Sequence, residues 1–215
     1  MIRLLIADDH TLVREGLKQI LAAAPDLQVA GEAVDGDQAL ARVRAQDFDL
    51  VLLDMSMPGL SGIDLIKRLK LEKPKLRILV LSMHGEQQYA ARAYKAGASG
   101  YLTKDSASDQ LVNAIRKIAA GGVHITPAAA EHLALNAANG QSGPSHAALS
   151  DREFEVFRLL VAGRSVGEIA DQLNLSAKTV STHKTHIQEK MGLASTAELV
   201  RYALEHDLLD GKPPA

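Results

Sequence analysis

Residues 1–120 alternate short apolar segments with amphipathic stretches, and few folds accommodate this alternation. Each apolar segment has four to six residues, is rich in Leu, Val and Ile, and is bounded by Asp, Gly, Pro or Ser. Buried strands of a parallel sheet have this length and composition. The predicted strands are Ile2–Ala7, Leu27–Ala30, Leu50–Leu53, Ile78–Leu81 and Ser99–Leu102.

The stretches between the strands have the spacing of helices that bury one face, as in Leu111, Ile115 and Ile118. The predicted helices lie at about 12–23, 36–46, 61–71, 86–96 and 107–119. Five strand–helix repeats predict an α/β fold, a doubly wound five-stranded parallel sheet of the flavodoxin-like type with helices on both faces. Ligands of such sheets bind beyond the C-terminal ends of the strands, so polar residues there form the candidate site.

The composition changes after residue 122, where the α/β domain 1–122 is predicted to end. Residues 123–147 are rich in Ala, Gly, Ser, Asn and Pro, which predicts a linker that is partly helical. Residues 148–209 have helical periodicity without any strand pattern, which predicts a small all-α domain. Residues 210–215 are predicted to form a disordered tail.

The composition also excludes several classes of protein. The chain has no cysteine, which excludes a disulfide scaffold, a thiol nucleophile, an iron–sulfur cluster and Cys-ligated zinc. No uncharged apolar run reaches the length of a membrane span, and Asp8 interrupts the first segment before it can act as a signal peptide. These features predict a cytoplasmic protein with no membrane partner. The net charge of −2 gives no indication of nucleic-acid binding by the chain as a whole.

Charged and hydroxyl side chains follow four of the predicted strands. Asp8 and Asp9 follow the first strand, Asp54 the third and Ser82 the fourth, and Lys104 lies just beyond the fifth. Carboxylates brought close together repel, and Mg²⁺ offsets this repulsion because it prefers carboxylate oxygens. Mg²⁺ and Lys104 together neutralise the three negative charges. Such a site accepts a phosphoryl group, with Asp54 as nucleophile and Ser82 as a hydrogen-bond donor to a phosphoryl oxygen.

Residues 1–119 resemble a bacterial response-regulator receiver domain. The matching residues are Asp8 and Asp9, Asp54 in LLDMSMPG, Ser82 in LVLSMH and Lys104 in GASGYLTKD. Lys104 is followed by Asp105, where many receivers have proline, and this pair is typical of the NarL/FixJ subfamily. The resemblance therefore includes the polar residues at the ends of the first, third, fourth and fifth predicted strands.

The resemblance implies a role for each of these residues. The protein ligands of Mg²⁺ would be Asp8, Asp9, Asp54 and the backbone carbonyl of Ser56. Asp54 would become the 4-aspartylphosphate, with a sensor histidine kinase as the phosphoryl donor of the phosphorelay. Ser82 and Lys104 would hold the phosphoryl group, and Tyr101 would swing inward after modification.

Four short helices are predicted in the C-terminal domain, and each begins after a serine. Ser150, Ser165 and Ser195 are followed three residues later by Glu, which is the pattern of a capping box. A helix at 166–173 and a second one at 177–190, joined by a two-residue turn, have the spacing of a helix-turn-helix.

Residues 149–209 resemble the LuxR-type helix-turn-helix domain, in which the second helix enters the major groove of promoter DNA. Val180, Ile187 and Met191 form the predicted core stripe of helix 177–190. The predicted DNA-binding residues are Lys178, Thr179, Ser181, Thr182, Lys184, Thr185, His186 and Lys190. Lys184 and Lys190 are the predicted contacts to DNA phosphates, because residues 174–192 contain three Lys and one Glu.

The two resemblances together imply a transcription regulator of a two-component system that is switched by phosphorylation. It would catalyse only its own aspartyl phosphorylation and dephosphorylation, and RNA polymerase would be a further partner. Binding to DNA would require a homodimer, paired through helices 12–23 and 107–119 or already present and reoriented by phosphorylation.

Three other functions are weighed against this one. A phosphatase of the haloacid dehalogenase type needs a second Asp two residues after the nucleophile, where this chain has Ser56. A Rossmann-type redox or nucleotide enzyme needs G-x-G-x-x-G after the first strand, where Asp8, Asp9 and His10 stand instead. A regulator that works without phosphorylation tends to lose site residues, and this sequence retains them.

Overall fold

The computed structural model describes residues 1–57, 60, 62–82, 86–104, 108–126, 130, 145–173, 175–206 and 208. The chain divides into two units, Met1–Ala134 and Leu135–Ala215. The predicted tail, residues 210–215, and most of the predicted linker lie outside the described residues. Within the described residues, no helix combines the length and the apolar character needed to cross a bilayer.

The first unit contains a five-stranded parallel sheet with the order β2-β1-β3-β4-β5. Its strands are β1 (Ile2–Ala7), β2 (Leu27–Ala33), β3 (Leu50–Asp54), β4 (Arg77–Ser82) and β5 (Gly100–Thr103). The helices are α1 (Thr11–Ala22), α2 (Gly36–Ala45), α3 (Gly62–Glu72), α4 (Glu86–Ala96) and α5 (Ser108–Ala119). The predicted doubly wound sheet is confirmed, and its order places the ends of β1 and β3 side by side.

Alternate residues of the strands face two separate apolar layers. In β1, Leu5 and Ala7 pack with α2, α3 and α4, whereas Leu4 and Ile6 pack with α1 and α5. The central strand β3 is buried at every residue, because both faces of the sheet are covered. This packing on two sides holds the C-terminal ends of β1 and β3 in fixed positions.

Strand β2 extends three residues beyond its predicted end at Ala30. It is an edge strand, and its register against β1 shifts between Leu4 and Leu5. Most of its residues are partly exposed, so β2 lacks the continuous apolar run by which buried strands are identified in a sequence. The extension supports the candidate site, because the carbonyl oxygen of Ala33 accepts the backbone N–H of Asp8 at 3.1 Å.

The N-terminus of α2 lies against the segment that follows β3. A Cβ atom at Gly36 would lie 1.7 Å from the carbonyl oxygen of Leu60. This separation is far below van der Waals contact, so the close approach of the two backbone segments requires glycine. Gly36 therefore helps to set the path of the chain after the end of β3.

We predict that Gly36→Ala destabilises the first unit by about 1–3 kcal/mol, because the methyl group displaces the backbone at Leu60. Gly16 in α1 offers a matched control, since no heavy atom lies within 4 Å of the corresponding Cβ position. Gly16→Ala should raise the free energy of unfolding by up to about 1 kcal/mol, because alanine is a better helix former than glycine. Urea unfolding measures both effects, and the same sign for both variants would contradict the role given to Gly36.

The second unit contains, within its described residues, a 3₁₀ turn (Ser145–Ala148) and four α-helices. The helices are α6 (Asp151–Val161), α7 (Val166–Gln172), α8 (Ala177–Met191) and α9 (Thr196–Glu205). The three predicted capping boxes, at Ser150, Ser165 and Ser195, are present with both of their hydrogen bonds. The side chain of Ser176 caps α8. The predicted helical domain is confirmed, and its helix starts follow from local hydrogen bonding.

Glu153 connects α6 to α8 through an ion pair in which the carboxylate is buried and the Lys190 side chain is exposed. Its side chain is 5% exposed, and Oε2 accepts hydrogen bonds from Ser150 N–H and Lys190 Nζ, both at 2.7 Å. Burial by itself raises the pKa of Glu153, but the hydrogen bonds from Lys190 and Ser150 outweigh burial and lower this pKa to about 2. One carboxylate thus closes a capping box and holds the C-terminal part of α8 against α6.

We predict that Glu153→Gln lowers the free energy of unfolding by about 1–3 kcal/mol near neutral pH, since it leaves the Lys190 ammonium without its carboxylate. The pKa of about 2 in the folded chain lies below the ordinary value of 4.5, so the stabilisation is complete above 4.5 and is lost as the pH falls toward 2. Urea unfolding should therefore show a difference between wild type and variant that shrinks in acid.

Glu168→Gln is the matched control for this substitution. Glu168 has the same place in the capping box of α7, but it is exposed, and the cation beside it, Arg164, lies 3.7 Å away. Glu168→Gln should therefore lower the free energy of unfolding by less than Glu153→Gln does. Equal costs would show that capping alone, and not the ion pair, accounts for the contribution of Glu153.

Candidate functional site

The C-terminal ends of the strands bring acidic side chains and Lys104 together. Lys104 Nζ lies 2.8 Å from Asp8 Oδ2 and 3.1 Å from Asp54 Oδ1. Ser82 is buried at the end of β4, and its carbonyl oxygen accepts the backbone N–H of Lys104 at 2.8 Å. The strand order thus places residues from four strand ends at one edge of the sheet, as expected for a doubly wound fold.

The charged groups of this site are almost completely buried. Asp8 and Asp54 are each 1% exposed, and the Lys104 side chain is 8% exposed. Burial raises the pKa of Asp54, the charge of Lys104 opposes this rise, and the charge of Asp8 adds to it. Burial lowers the pKa of Lys104, but the ion pairs with Asp8 and Asp54 outweigh it and leave this pKa raised. With Asp9 included, the site keeps a net negative charge, which a divalent cation would neutralise.

Four buried carboxylate oxygens make no hydrogen bond with the described residues: Asp8 Oδ2, Asp9 Oδ1 and both oxygens of Asp54. Two of them face Lys104 at ion-pair distance, and Asp9 Oδ1 lies 2.9 Å from His10 Nδ1. Asp54 Oδ2 has no such contact within the described part of the chain. A buried oxygen without a donor, such as Asp54 Oδ2, is costly unless a cation binds it, so this group of carboxylates fits Mg²⁺.

His10 also belongs to this cluster, although it was not among the residues predicted for the site. It precedes α1 as the N-terminal cap residue, and its side chain makes no capping hydrogen bond. The ligand atoms of Asp8, Asp9, His10 and Asp54 all lie within 4.8 Å of one another. The signal in the sequence was its position directly after two aspartates, but sequence alone does not show on which side of the turn the ring lies.

Arg14 is a second residue that the sequence analysis missed. It is 9% exposed, its Nη1 donates to the carbonyl oxygen of Asp8 at 2.8 Å, and its Nε donates to Glu32 Oε2 at 3.2 Å. The guanidinium thus connects the turn after β1 to the edge strand β2. In a sequence, an arginine of an amphipathic helix is typical of the solvent-facing side, so this contact was visible only in the fold.

Tyr101 and Ser56 lie on strand β5 and just after β3, respectively. Tyr101 is 1% exposed and packs in the apolar layer that contains α3 and α4. Its ring is therefore already inside the unmodified domain, and the inward swing stays a prediction. Ser56 is exposed two residues after Asp54, and the role of its carbonyl as a ligand also stays a prediction.

The second candidate site is the exposed side of α8. Val180, Ile187 and Met191 are buried, as the helical spacing predicts. Of the predicted DNA-binding residues, Thr179 and Lys184 are half-buried, and the exposed ones are Lys178, Ser181, Thr182, Thr185, His186 and Lys190. The Thr182 and Thr185 hydroxyls donate to backbone carbonyls four residues earlier, at 3.0 and 3.2 Å. All eight residues are thus at least partly accessible to a ligand.

Lys190 differs from the other residues of this set, because its ammonium pairs with the buried carboxylate of Glu153 at 2.7 Å. A DNA phosphate would have to compete with this carboxylate for the same charge. Lys184 has no carboxylate partner within the described part of the chain, which makes it the stronger candidate for a phosphate contact.

Two family sequence models match the chain, each on one of its units. The family described as "Response regulator receiver domain" matches residues 4–116, and the family "Bacterial regulatory proteins, luxR family" matches residues 147–203. The response regulator UvrY of Escherichia coli O6:H1 is 36% identical over 213 residues, which are 99% of this chain and 98% of UvrY. The response regulator GacA of Pseudomonas protegens is 36% identical over 210 residues, 98% of this chain and 99% of GacA.

A solved structure shows the same combination of domains. RcsB from Salmonella enterica serovar Typhimurium, bound to promoter rprA in the presence of the phosphomimetic BeF3⁻, matches with 29% identity and a TM-score of 0.67, over 94% of this chain and 97% of RcsB. Because the two family matches and the relatives together cover nearly the whole chain, it belongs to the NarL/FixJ family of two-component response regulators, in which a receiver domain precedes a LuxR-type DNA-binding domain.

Proposed function

We propose that Asp54 accepts a phosphoryl group from a sensor histidine kinase in a Mg²⁺-dependent reaction, and that this modification controls promoter binding by residues 148–209. The observation that carries the proposal is the environment of Asp54. The residue is 1% exposed, its Oδ1 lies 3.1 Å from Lys104 Nζ, and its Oδ2 makes no hydrogen bond with the described residues. A carboxylate with one unengaged oxygen beside an ammonium combines a nucleophile with a group that attracts the oxygens of a phosphoryl group.

The residues around Asp54 have separate tasks in this reaction. The metal ligands would be Asp8, Asp9, Asp54 and the carbonyl of Ser56. When bound, Mg²⁺ neutralises the phosphoryl oxygens during transfer. Lys104 would supply a second positive charge, since its ammonium lies 2.8 Å from Asp8 Oδ2 and 3.1 Å from Asp54 Oδ1. The Ser82 hydroxyl would donate to a phosphoryl oxygen. The catalysis of this chain would extend only to its own phosphorylation and dephosphorylation.

The second unit supplies the proposed DNA interface. RcsB is described in complex with promoter DNA and a phosphoryl mimic, and the similar helical unit of this chain exposes polar side chains along α8. The serine-capped N-terminus of α8 adds positive potential toward DNA phosphates. Promoter DNA is therefore the proposed ligand and RNA polymerase a further partner. The proposed location is the cytoplasm, where promoter DNA and the phosphoryl donor meet.

The proposed switch starts from a change of charge. A phosphoryl group adds up to about two negative charges next to Lys104. Ser82 ends β4 and Lys104 directly follows β5, and the chain continues from them to α4 and α5, so a movement of either residue would reach those helices. We propose that two receivers then pair through α1 and α5, beside which lies a surface pocket lined by Ile20, Val112 and Arg116. A dimer that exists before phosphorylation and only reorients is the alternative, and sedimentation with and without beryllofluoride separates the two.

Asp54→Asn should abolish phosphorylation by acetyl phosphate and Mg²⁺, because an amide of the same size is no nucleophile. Intact mass spectrometry of the full chain measures the adduct. Asp64→Asn is the matched control, since Asp64 is an exposed carboxylate in the first turn of α3, and it should be phosphorylated like the wild type. An adduct at full yield on Asp54→Asn would refute the assignment of the phosphoacceptor.

Lys184→Ala should weaken binding to all DNA sequences by a similar factor and reduce the slope of log K against log salt by about 1, as the loss of one phosphate contact does. Lys190→Ala should instead lower the stability of the second unit, because it leaves Glu153 buried without its cation. Electrophoretic retardation at several salt concentrations, together with urea unfolding, measures both variants. An unchanged salt slope for Lys184→Ala would remove this residue from the interface.

A further inference from the structure

The imidazole of His10 lies beside the proposed magnesium site. Its Nδ1 is 2.9 Å from Asp9 Oδ1 and 3.3 Å from Asp8 Oδ1. The backbone N–H of His10 donates to Asp8 Oδ1 at 2.8 Å, which fixes the turn that carries the ring. The ring nitrogen therefore borders the space in which a cation would contact the carboxylates.

The separations between these atoms are those of ligands around a single ion. With metal–ligand distances of about 2.1 Å, adjacent ligand atoms of an octahedral ion lie about 3 Å apart and opposite ones about 4.2 Å apart. The distances of 2.9 and 3.3 Å from Nδ1 to Asp9 and Asp8 correspond to adjacent positions. One ligand atom from each of the four residues, Asp54 included, lies within 4.8 Å of the others, so a contraction of about 0.6 Å brings the set to the span of opposite octahedral ligands.

The contacts with Lys104 leave one oxygen of Asp8 and one of Asp54 for a cation, and Asp8 Oδ1 also accepts the backbone N–H of His10. Lys104 contacts Asp8 through Oδ2 and Asp54 through Oδ1. Asp54 is 1% exposed, and its Oδ2 makes no hydrogen bond with the described residues, which itself points to a bound cation. The His10 side chain makes no capping hydrogen bond to α1, so the helix does not need the ring.

We infer that His10 binds the metal through Nδ1 and thereby raises the affinity of the site for transition ions such as Mn²⁺ and Co²⁺ relative to Mg²⁺. The inference rests on the proposed metal-dependent phosphoryl transfer and adds to it a residue that determines metal specificity. Mg²⁺ takes oxygen ligands, whereas imidazole suits first-row transition ions, whose affinity rises from Mn²⁺ to Co²⁺. Three carboxylates with one imidazole therefore favour these ions more than three carboxylates alone.

A ring that only orients Asp9 is the competing arrangement. In that case Nδ1 would keep its 2.9 Å contact with the Asp9 carboxylate and would not touch the ion. The two arrangements differ in one measurable property, which is whether a nitrogen atom is bound directly to the metal.

The test uses the full chain with Mn²⁺ alone and no phosphoryl donor. Electron spin echo envelope modulation detects nitrogen bound directly to Mn²⁺, and we expect this modulation in the wild type and its loss in His10→Ala. Calorimetry of Co²⁺ and Mg²⁺ binding gives the affinity ratio of the two ions, which should fall about tenfold or more in His10→Ala. His206→Ala removes an exposed histidine of the second unit, and it should retain both the modulation and the ratio.

The possible outcomes distinguish a failure of the inference from a failure of the proposed function. Mn²⁺ bound to the wild type without nitrogen modulation overturns the inference and leaves the phosphoryl-transfer site standing, because the carboxylates still hold the ion. An unchanged ratio of Co²⁺ to Mg²⁺ affinity in a folded His10→Ala variant overturns it too. Failure of the wild type to bind either Mg²⁺ or Mn²⁺ refutes the proposed metal-dependent function, and the inference with it.

Discussion

Lys104 contacts two carboxylates in a place where hardly any water reaches them, and the remaining features of the receiver unit follow from this arrangement. Buried charges are costly unless they are paired, so the strand ends that carry Asp8, Asp54 and Lys104 must stay in register. The apolar layers on the two faces of the sheet provide this constraint, because they enclose β3 completely. A change of charge at Asp54 would alter the partners of Lys104, which is the physical basis of the proposed switch at this site.

The second unit also contains an ion pair with a buried carboxylate, but this one has a structural task. Glu153 and Lys190 join α6 to α8, and the capping box at Ser150 fixes the same carboxylate from the other side. Because Val180 and Ile187 are buried in the core, the opposite side of α8 is presented to solvent. The ion pair thus helps to orient the helix that is proposed to contact DNA, and it engages one of the lysines that the sequence offers as a phosphate contact.

Most of the fold could be predicted, because its signals are local. The strand Ile2–Ala7 has the bounds expected from its apolar run, and the capping boxes begin their helices where serine and glutamate stand three residues apart. The edge strand β2 was predicted too short, because Gly31 and Glu32 interrupt its apolar pattern, and an edge strand does not need a continuous one. The strand-end residues of the site were predictable for the same reason, since parallel strands share one C-terminal edge.

The sequence by itself determined which residues end the strands and begin the helices, because turn chemistry, caps and apolar periodicity act over a few neighbouring positions. Only the tertiary structure decided which charges meet across longer distances. Arg14 reaches the carboxylate of Glu32, 18 positions later, and Lys190 reaches Glu153, which lies 37 positions earlier in the chain. His10 was adjacent to the acidic pair in the sequence, yet its position beside Asp8 and Asp9 depends on the turn after β1. Such contacts depend on how elements pack and on where side chains point, and neither leaves a periodic pattern in the sequence.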